Sequence, residues 1–227
     1  MEFIETYKHK RDDYTKKIKD SIYIENIDNF KEDSEQIEIG YDDICEIFLI
    51  KNDINYQLMN VNEKSNYLLK KKMEIASDLK DFNYNKKMTG NLISNGLQSK
   101  NNYSSILYLN DYYSCNLIIY NHHSQKFYQT SIKDNEKIGC IYKNNKWFLH
   151  DIKDNNKYGD NDELKNIIQF DIPTNLIYNS YLKSLSKYKM DELILLCNEM
   201  NIDLKIGTKK KLKKELYDEI NIKKLNE

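Results

Sequence analysis

The sequence predicts an α+β fold, and three observations predict it. Four short runs rich in β-branched and aromatic residues, Asn116–Tyr120, Lys126–Ile132, Ile138–Tyr142 and Trp147–Asp151, alternate with polar turns. Asn62–Leu79 spaces Tyr67, Leu68, Met73 and Ile75 as one helical face does. The last segment reads as a pair of short helices. Taken in order, Phe3, Ile4, Tyr7, Tyr14, Ile18 and Ile22 suit one face of an N-terminal helix, and the acidic stretch Ile27–Gly40 reads as loop. Ile44–Ile50 and Tyr56–Met59 read as strands, or as a short helix followed by a strand. Asp81–Lys100, dominated by Asn, Lys, Gly and Ser, carries no periodic pattern. Ser104–Tyr113 reads as a helix that feeds the four strands, arranged as an antiparallel meander. Lys143-Asn144-Asn145-Lys146 suits a hairpin turn because Asn tolerates positive φ. Asp151–Asp162 is nearly all polar and reads as loop, and Pro173-Thr174 is expected to open a helix ending near Leu185. The expected organisation is an α+β body over residues 1–180 and a helical module over residues 181–227.

With 227 residues, 40% hydrophobic and 31% charged, the chain is long enough to bury a core and too apolar for a disordered polymer. No apolar run approaches the roughly 20 residues that cross a bilayer. The start, Met1-Glu-Phe-Ile-Glu, lacks the basic-then-apolar order of a secretory signal. An intracellular protein that engages no membrane is expected, in cytoplasm, nucleus or a virion. The abundance of Lys, Asn, Ile and Tyr beside a single Pro fits A+T-rich coding rather than a particular chemistry.

The net charge of −1 hides an uneven distribution: residues 181–227 hold 11 Lys against 8 acidic residues, leaving −4 for the rest. The larger part of the chain is expected to repel a polyanion, so any such contact belongs to the tail.

Cys45, Cys115, Cys140 and Cys197 are scattered among apolar neighbours with no Cys-x-x-Cys pair, as small core residues are. His9, His122, His123 and His150 show no i, i+4 spacing, and His122-His123 falls in a polar turn. Neither set suggests a metal, and six glycines, in no phosphate-loop or dinucleotide pattern, suggest no cofactor. One catalytic reading exists. Cys45, followed by helix and strands ending at His150, has the order of a papain-like or ovarian-tumour-type cysteine hydrolase or its inactive relative. Against it, an Asp-Gly-x-Cys signature is missing, and Asp42, Asp43 and Glu46 around Cys45 oppose thiolate formation.

The tail carries the functional signal. Met190, Leu193, Cys197 and Met200 are spaced to bury one face of a first helix, and Leu212, Leu216 and Ile220 one face of a second. Ile194, Leu195 and Leu196 offer the first helix a second apolar side that can dock on the body. Between the helices, Gly207 permits a turn and Thr208 can cap, which would set unpaired helix amides beside Lys209, Lys210 and Lys213 as an anion site. The alternative is a solvated lysine face, with Lys211–Glu215 and Lys214–Asp218 pairs on it.

Met190, Glu192, Leu193, Cys197, Ile202, Gly207, Lys209, Leu212 and Leu216 fill, in order, the pattern of the SAP motif. Residues Ser184 to Ile220 thus resemble that helix–extension–helix module. Asn201 stands where the family usually has Gly, and the connector is one residue longer. The resemblance implies binding to duplex DNA through backbone contacts at the start of the second helix, with Gly207, Thr208, Lys209, Lys210 and Lys213 as contact residues. The Lys-rich ending also resembles C-terminal modules in proteins of giant nucleocytoplasmic DNA viruses. A weakly binding, non-enzymatic DNA-associated protein is therefore the leading expectation, with a protein-interaction or virion structural component as its competitor.

Overall fold

The computed structural model describes residues 39–152 and 157–227. The expected N-terminal helix and all but the end of the acidic stretch Ile27–Gly40 lie outside the described residues.

The first helix, α1 (Ile44–Asn52), decides between the two readings of Ile44–Ile50: the segment is the short helix, not a strand. Asp43 accepts from the Cys45 amide at 2.9 Å, and Glu46 reaches back to the Asp43 amide. This reciprocal cap nucleates a turn that no strand would use. The sequence leaves helix and strand open because Ile44, Ile47, Phe48 and Leu49 are all buried, and so short an apolar run has no polar face to fix its period. Asp53 caps α2 (Ile54–Leu58) through the amides of Asn55 and Tyr56, so Tyr56–Met59 is not a strand either.

Helix α3 (Val61–Ser77) matches expectation and starts with a reciprocal cap between Asn60 and Glu63. Helix α4 (Gly90–Gln98) was not expected in the featureless 81–100 stretch. Thr89 caps it, and Ile93 and Leu97 supply a short buried stripe. Helix α5 (Tyr103–Tyr112) is the central one, buried from Tyr103 to Asp111.

Four strands follow as expected: β1 (Cys115–Asn121), β2 (Lys126–Gln129), β3 (Glu136–Lys143) and β4 (Lys146–Leu149). Their order is β2-β1-β3-β4, and β1 runs parallel to β3, with Leu117 opposite Ile138 and Ile119 opposite Cys140. The sheet is therefore mixed, not a meander. After Gln129 the Thr130 amide makes one more bond to the Leu117 carbonyl of β1, and the chain then leaves the ladder for the crossover to β3. Asn110 donates to the Thr130 hydroxyl at 2.8 Å, and Asn116 accepts from the Ser131 amide at 3.2 Å. These buried polar groups give the crossover the partners it would otherwise lack. The Asn144-Asn145 turn has φ of 52° and 59°, the left-handed pair expected of a tight hairpin.

The core lies between the helices and one sheet face, where Leu117, Ile119, Tyr128, Ile138, Cys140 and Trp147 meet α1, α4 and α5. The stretch after Pro173 corrects the predicted helix. It is an extended strap, with Asn85 N–H bonded to the Ile177 carbonyl and Asn179 N–H to Asn83. In this form Ile172 and Ile177 both reach the core. Tyr178 and Tyr84 donate to Asp111, whose carboxylate also meets Lys133 at 2.8 Å. The strap, the crossover loop and α5 are thereby tied together.

Among the described residues no helix is long and apolar enough to cross a membrane.

Candidate nucleic-acid interface

The tail forms helix α6 (Met190–Glu199), a two-stranded hairpin, and helix α7 (Lys213–Leu225). Leu193, Cys197, Leu216 and Ile220 make a small core of their own. Met190 and Leu212, expected inside, lie 37% and 61% exposed. Each precedes or opens its helix at the rim of the two-helix contact, where the partner helix no longer covers it.

Helix α6 ends as the sequence allows. Asn201 takes φ of 53°, the Ile202 amide bonds back to the Cys197 carbonyl at 2.8 Å, and the Asn201 amide to Asn198. This is a left-handed C-cap in which Asn does the work of Gly.

The connector differs from expectation. Strands β5 (Lys205–Ile206) and β6 (Lys209–Lys210) pair antiparallel, and Gly207-Thr208 is the loop between them. Gly207, at φ of 59°, supplies the positive angle at the first loop position. Thr208 is therefore at a hairpin tip, not a helix cap, and Lys209 and Lys210 lie on a strand, not in the first helical turn. The helix begins at Lys213, where Glu215 accepts from the Leu212 amide at 2.5 Å. Leu212 has no accepting side chain, so the first-turn amides gain no cap from it.

Cross-strand partners share a face, and Lys205 stands opposite Lys210. Lys205 and Lys210 thus share one face of the hairpin while Lys209, paired with Ile206, takes the other; all three are exposed, with half-buried Lys213 at the adjoining helix start. None of the four forms an ion pair with another described residue. Sequence reasoning missed Lys205, although Lys205-Ile206-Gly207-Thr208-Lys209-Lys210 places it as far before the loop as Lys210 lies after it.

Neither expected helix pair forms. Lys211 is drawn inward to Glu219 at 2.5 Å, Glu215 is used at the helix start, and Lys214 and Asp218 do not pair. The acids are partly spoken for: Glu192 holds the Lys189 amide, Glu215 the Leu212 amide, and Glu219 Lys211. The cationic edge is therefore less neutralised than composition suggests.

The module meets the body through α7, not through the second side of α6. Leu195 stays 62% exposed, while Ile194 and Leu196 pack within the module. Asn221 accepts from the Ser180 hydroxyl of the body at 2.8 Å and from the Tyr181 and Leu182 amides at the start of the module, and Asn226 accepts from Asp134 N–H and donates to the Ile132 carbonyl. The repulsive body also needs restating. Residues 39–180 carry 17 lysines against 17 acidic residues, so the −4 belongs to the first 38 residues.

The alternative site residues are not brought together. Cys45 packs in the helix-side core, whereas His150 stacks on Tyr120 at 4.6 Å and lies near Phe127, on the opposite face of the sheet. Burial, then the Asp43 charge, pushes the Cys45 thiol well up, against nucleophilic use. His122 and His123 sit in the exposed β1–β2 turn. Among the described residues, no group of three or more His, Cys, Asp or Glu is placed to hold a metal ion.

No family model matches this chain, and neither a curated protein nor a solved structure matches it.

Proposed function

We propose that the chain is a non-enzymatic, nucleic-acid-associated protein that holds the backbone of duplex DNA weakly and without sequence preference. The contact surface is the β5–β6 hairpin with the start of α7: Gly207, Thr208, Lys209, Lys210 and Lys213, joined by Lys205. One observation carries this reading: Lys205 and Lys210 face each other across an exposed hairpin, and among the described residues no acid answers either. Like charges directly opposite one another are unfavourable, and a row of phosphates relieves them. The first turn of α7, where Leu212 offers no accepting side chain, adds amide donors three residues beyond Lys210. Such a protein would work inside a cell or a viral particle, tethering its body to a genome.

The test is a salt titration of the full chain on a short mixed-sequence duplex. Log affinity should fall linearly with log salt, with a slope set by about three or four phosphate contacts. Lys209→Glu with Lys210→Glu should abolish binding. A chain that ignores duplex DNA at low salt sinks the proposal.

A second reading has its own support. Ile206 and Leu212, each 61% exposed, flank the lysines. They suit a protein partner, cellular or within a virion, for which the lysines serve only solubility. Ile206→Ser with Leu212→Ser would then remove partner binding while leaving salt-dependent DNA binding intact.

A further inference from the structure

The hairpin has little to hold it in place. Its two strands are two residues each, all four residues are exposed, and one of its two cross-strand pairs is lysine against lysine. An isolated hairpin of this kind is marginal in water. What fixes it lies at the next residue. The Lys211 amide extends the ladder to the Leu204 carbonyl at 3.0 Å. The Lys211 side chain, only 7% exposed, then runs back to the Glu219 carboxylate, two turns along α7. Lys211 is thus the one lysine of its cluster that faces inward.

Resting on the interface described above, we propose that Lys211 and Glu219 are positioning residues for nucleic-acid binding: their ion pair latches the hairpin onto α7 and sets Lys205, Lys209 and Lys210 in register with the helix start. Lys211 touches no phosphate. It acts through the backbone of β6, and Glu219, an acid, supports the binding of an anion.

That last consequence has a sign that separates it from simple electrostatics. Glu219→Gln removes a negative charge from the module, which by charge alone should tighten DNA binding. The latch predicts the reverse: roughly fivefold weaker binding with an unchanged salt slope, because no phosphate contact is lost. Lys211→Met, which keeps the buried chain length, should weaken binding similarly, again without the slope decrease of about one that a lost phosphate contact gives. Hydrogen exchange on the full chain supplies a measurement that needs no DNA. Amides of residues 205–211 should exchange faster in both variants, while those of β1 and β3 keep their protection. Tighter or unchanged binding by Glu219→Gln, or a hairpin whose exchange is unaltered, overturns the latch. If the unmodified chain binds no DNA, the interface reading fails, and the exchange experiment alone decides whether the latch exists.

Discussion

Lys205 and Lys210 stand directly opposite each other in the β5–β6 hairpin, two cations on one face of a ladder only two residues deep. A fold does not gain stability from such a pair. Lys205→Ala should leave thermal stability unchanged or slightly higher, while weakening duplex binding and lowering the salt slope by about one. Paired melting curves and salt titrations read both quantities.

A second pair has the opposite character. Lys72 meets Asp43 at 2.7 Å with both side chains buried, and Asp43 also caps α1. Asp43→Ala leaves the buried Lys72 ammonium without its counter-charge, held only by the Ser99 carbonyl, and uncaps the helix, so it should cost about 3–5 kcal/mol in urea unfolding. The combination with Lys72→Met should cost less than the sum of the single changes, since neither charge is then stranded.

All four cysteines are buried. Burial raises the Cys140 and Cys197 thiols, raises Cys45 well up with help from Asp43, and pushes Cys115 up to about 12. The native chain at neutral pH should therefore resist iodoacetamide, with all four positions labelling only on unfolding, as mass spectrometry would show. Cys45→Ala should leave DNA binding unchanged. Rapid labelling of Cys45 in the folded chain would reopen the hydrolase reading.

Tyrosines set the alkaline limit. Burial pushes Tyr103 up to about 12, and burial with the Asp111 charge pushes Tyr84 and Tyr178 higher still. Below the unfolded value of about 10 both states keep these protons, and the stabilisation is complete. Above it the unfolded chain ionises first, so stability is lost as pH climbs toward the folded values. Tyrosinate absorbance from Tyr84, Tyr103 and Tyr178 should appear in a cooperative step that coincides with loss of circular dichroism.

Local pattern made α3, α5 and the four strands legible, because each pairs a clear period with turn residues at its ends. The Asn144-Asn145 turn was legible for the same reason. Ile44–Ile50 stayed open between helix and strand because a short, mostly buried helix shows little period, and its cap at Asp43 and Glu46 was the deciding signal. The β1–β3 pairing was beyond local reading. Whether Glu136 lies beside Cys115 depends on where the chain goes after Gln129, and that is settled by Asn110, Asn116 and Thr130 acting across the fold. At the site, the lysines were legible but their setting was not. Gly207-Thr208 suits a helix entrance and a hairpin tip equally, and only the pull of Glu219 on Lys211 distinguishes them.

Asn221 and Asn226 grip the strand–loop and strap backbones at two places along α7. The helix that carries the cationic finger is thereby tied to the mixed-sheet body, so the finger has an aim as well as a charge. A duplex seated on it would run past the rest of the described chain at one angle and one stand-off. Several copies loaded along a genome would all present the same side outward.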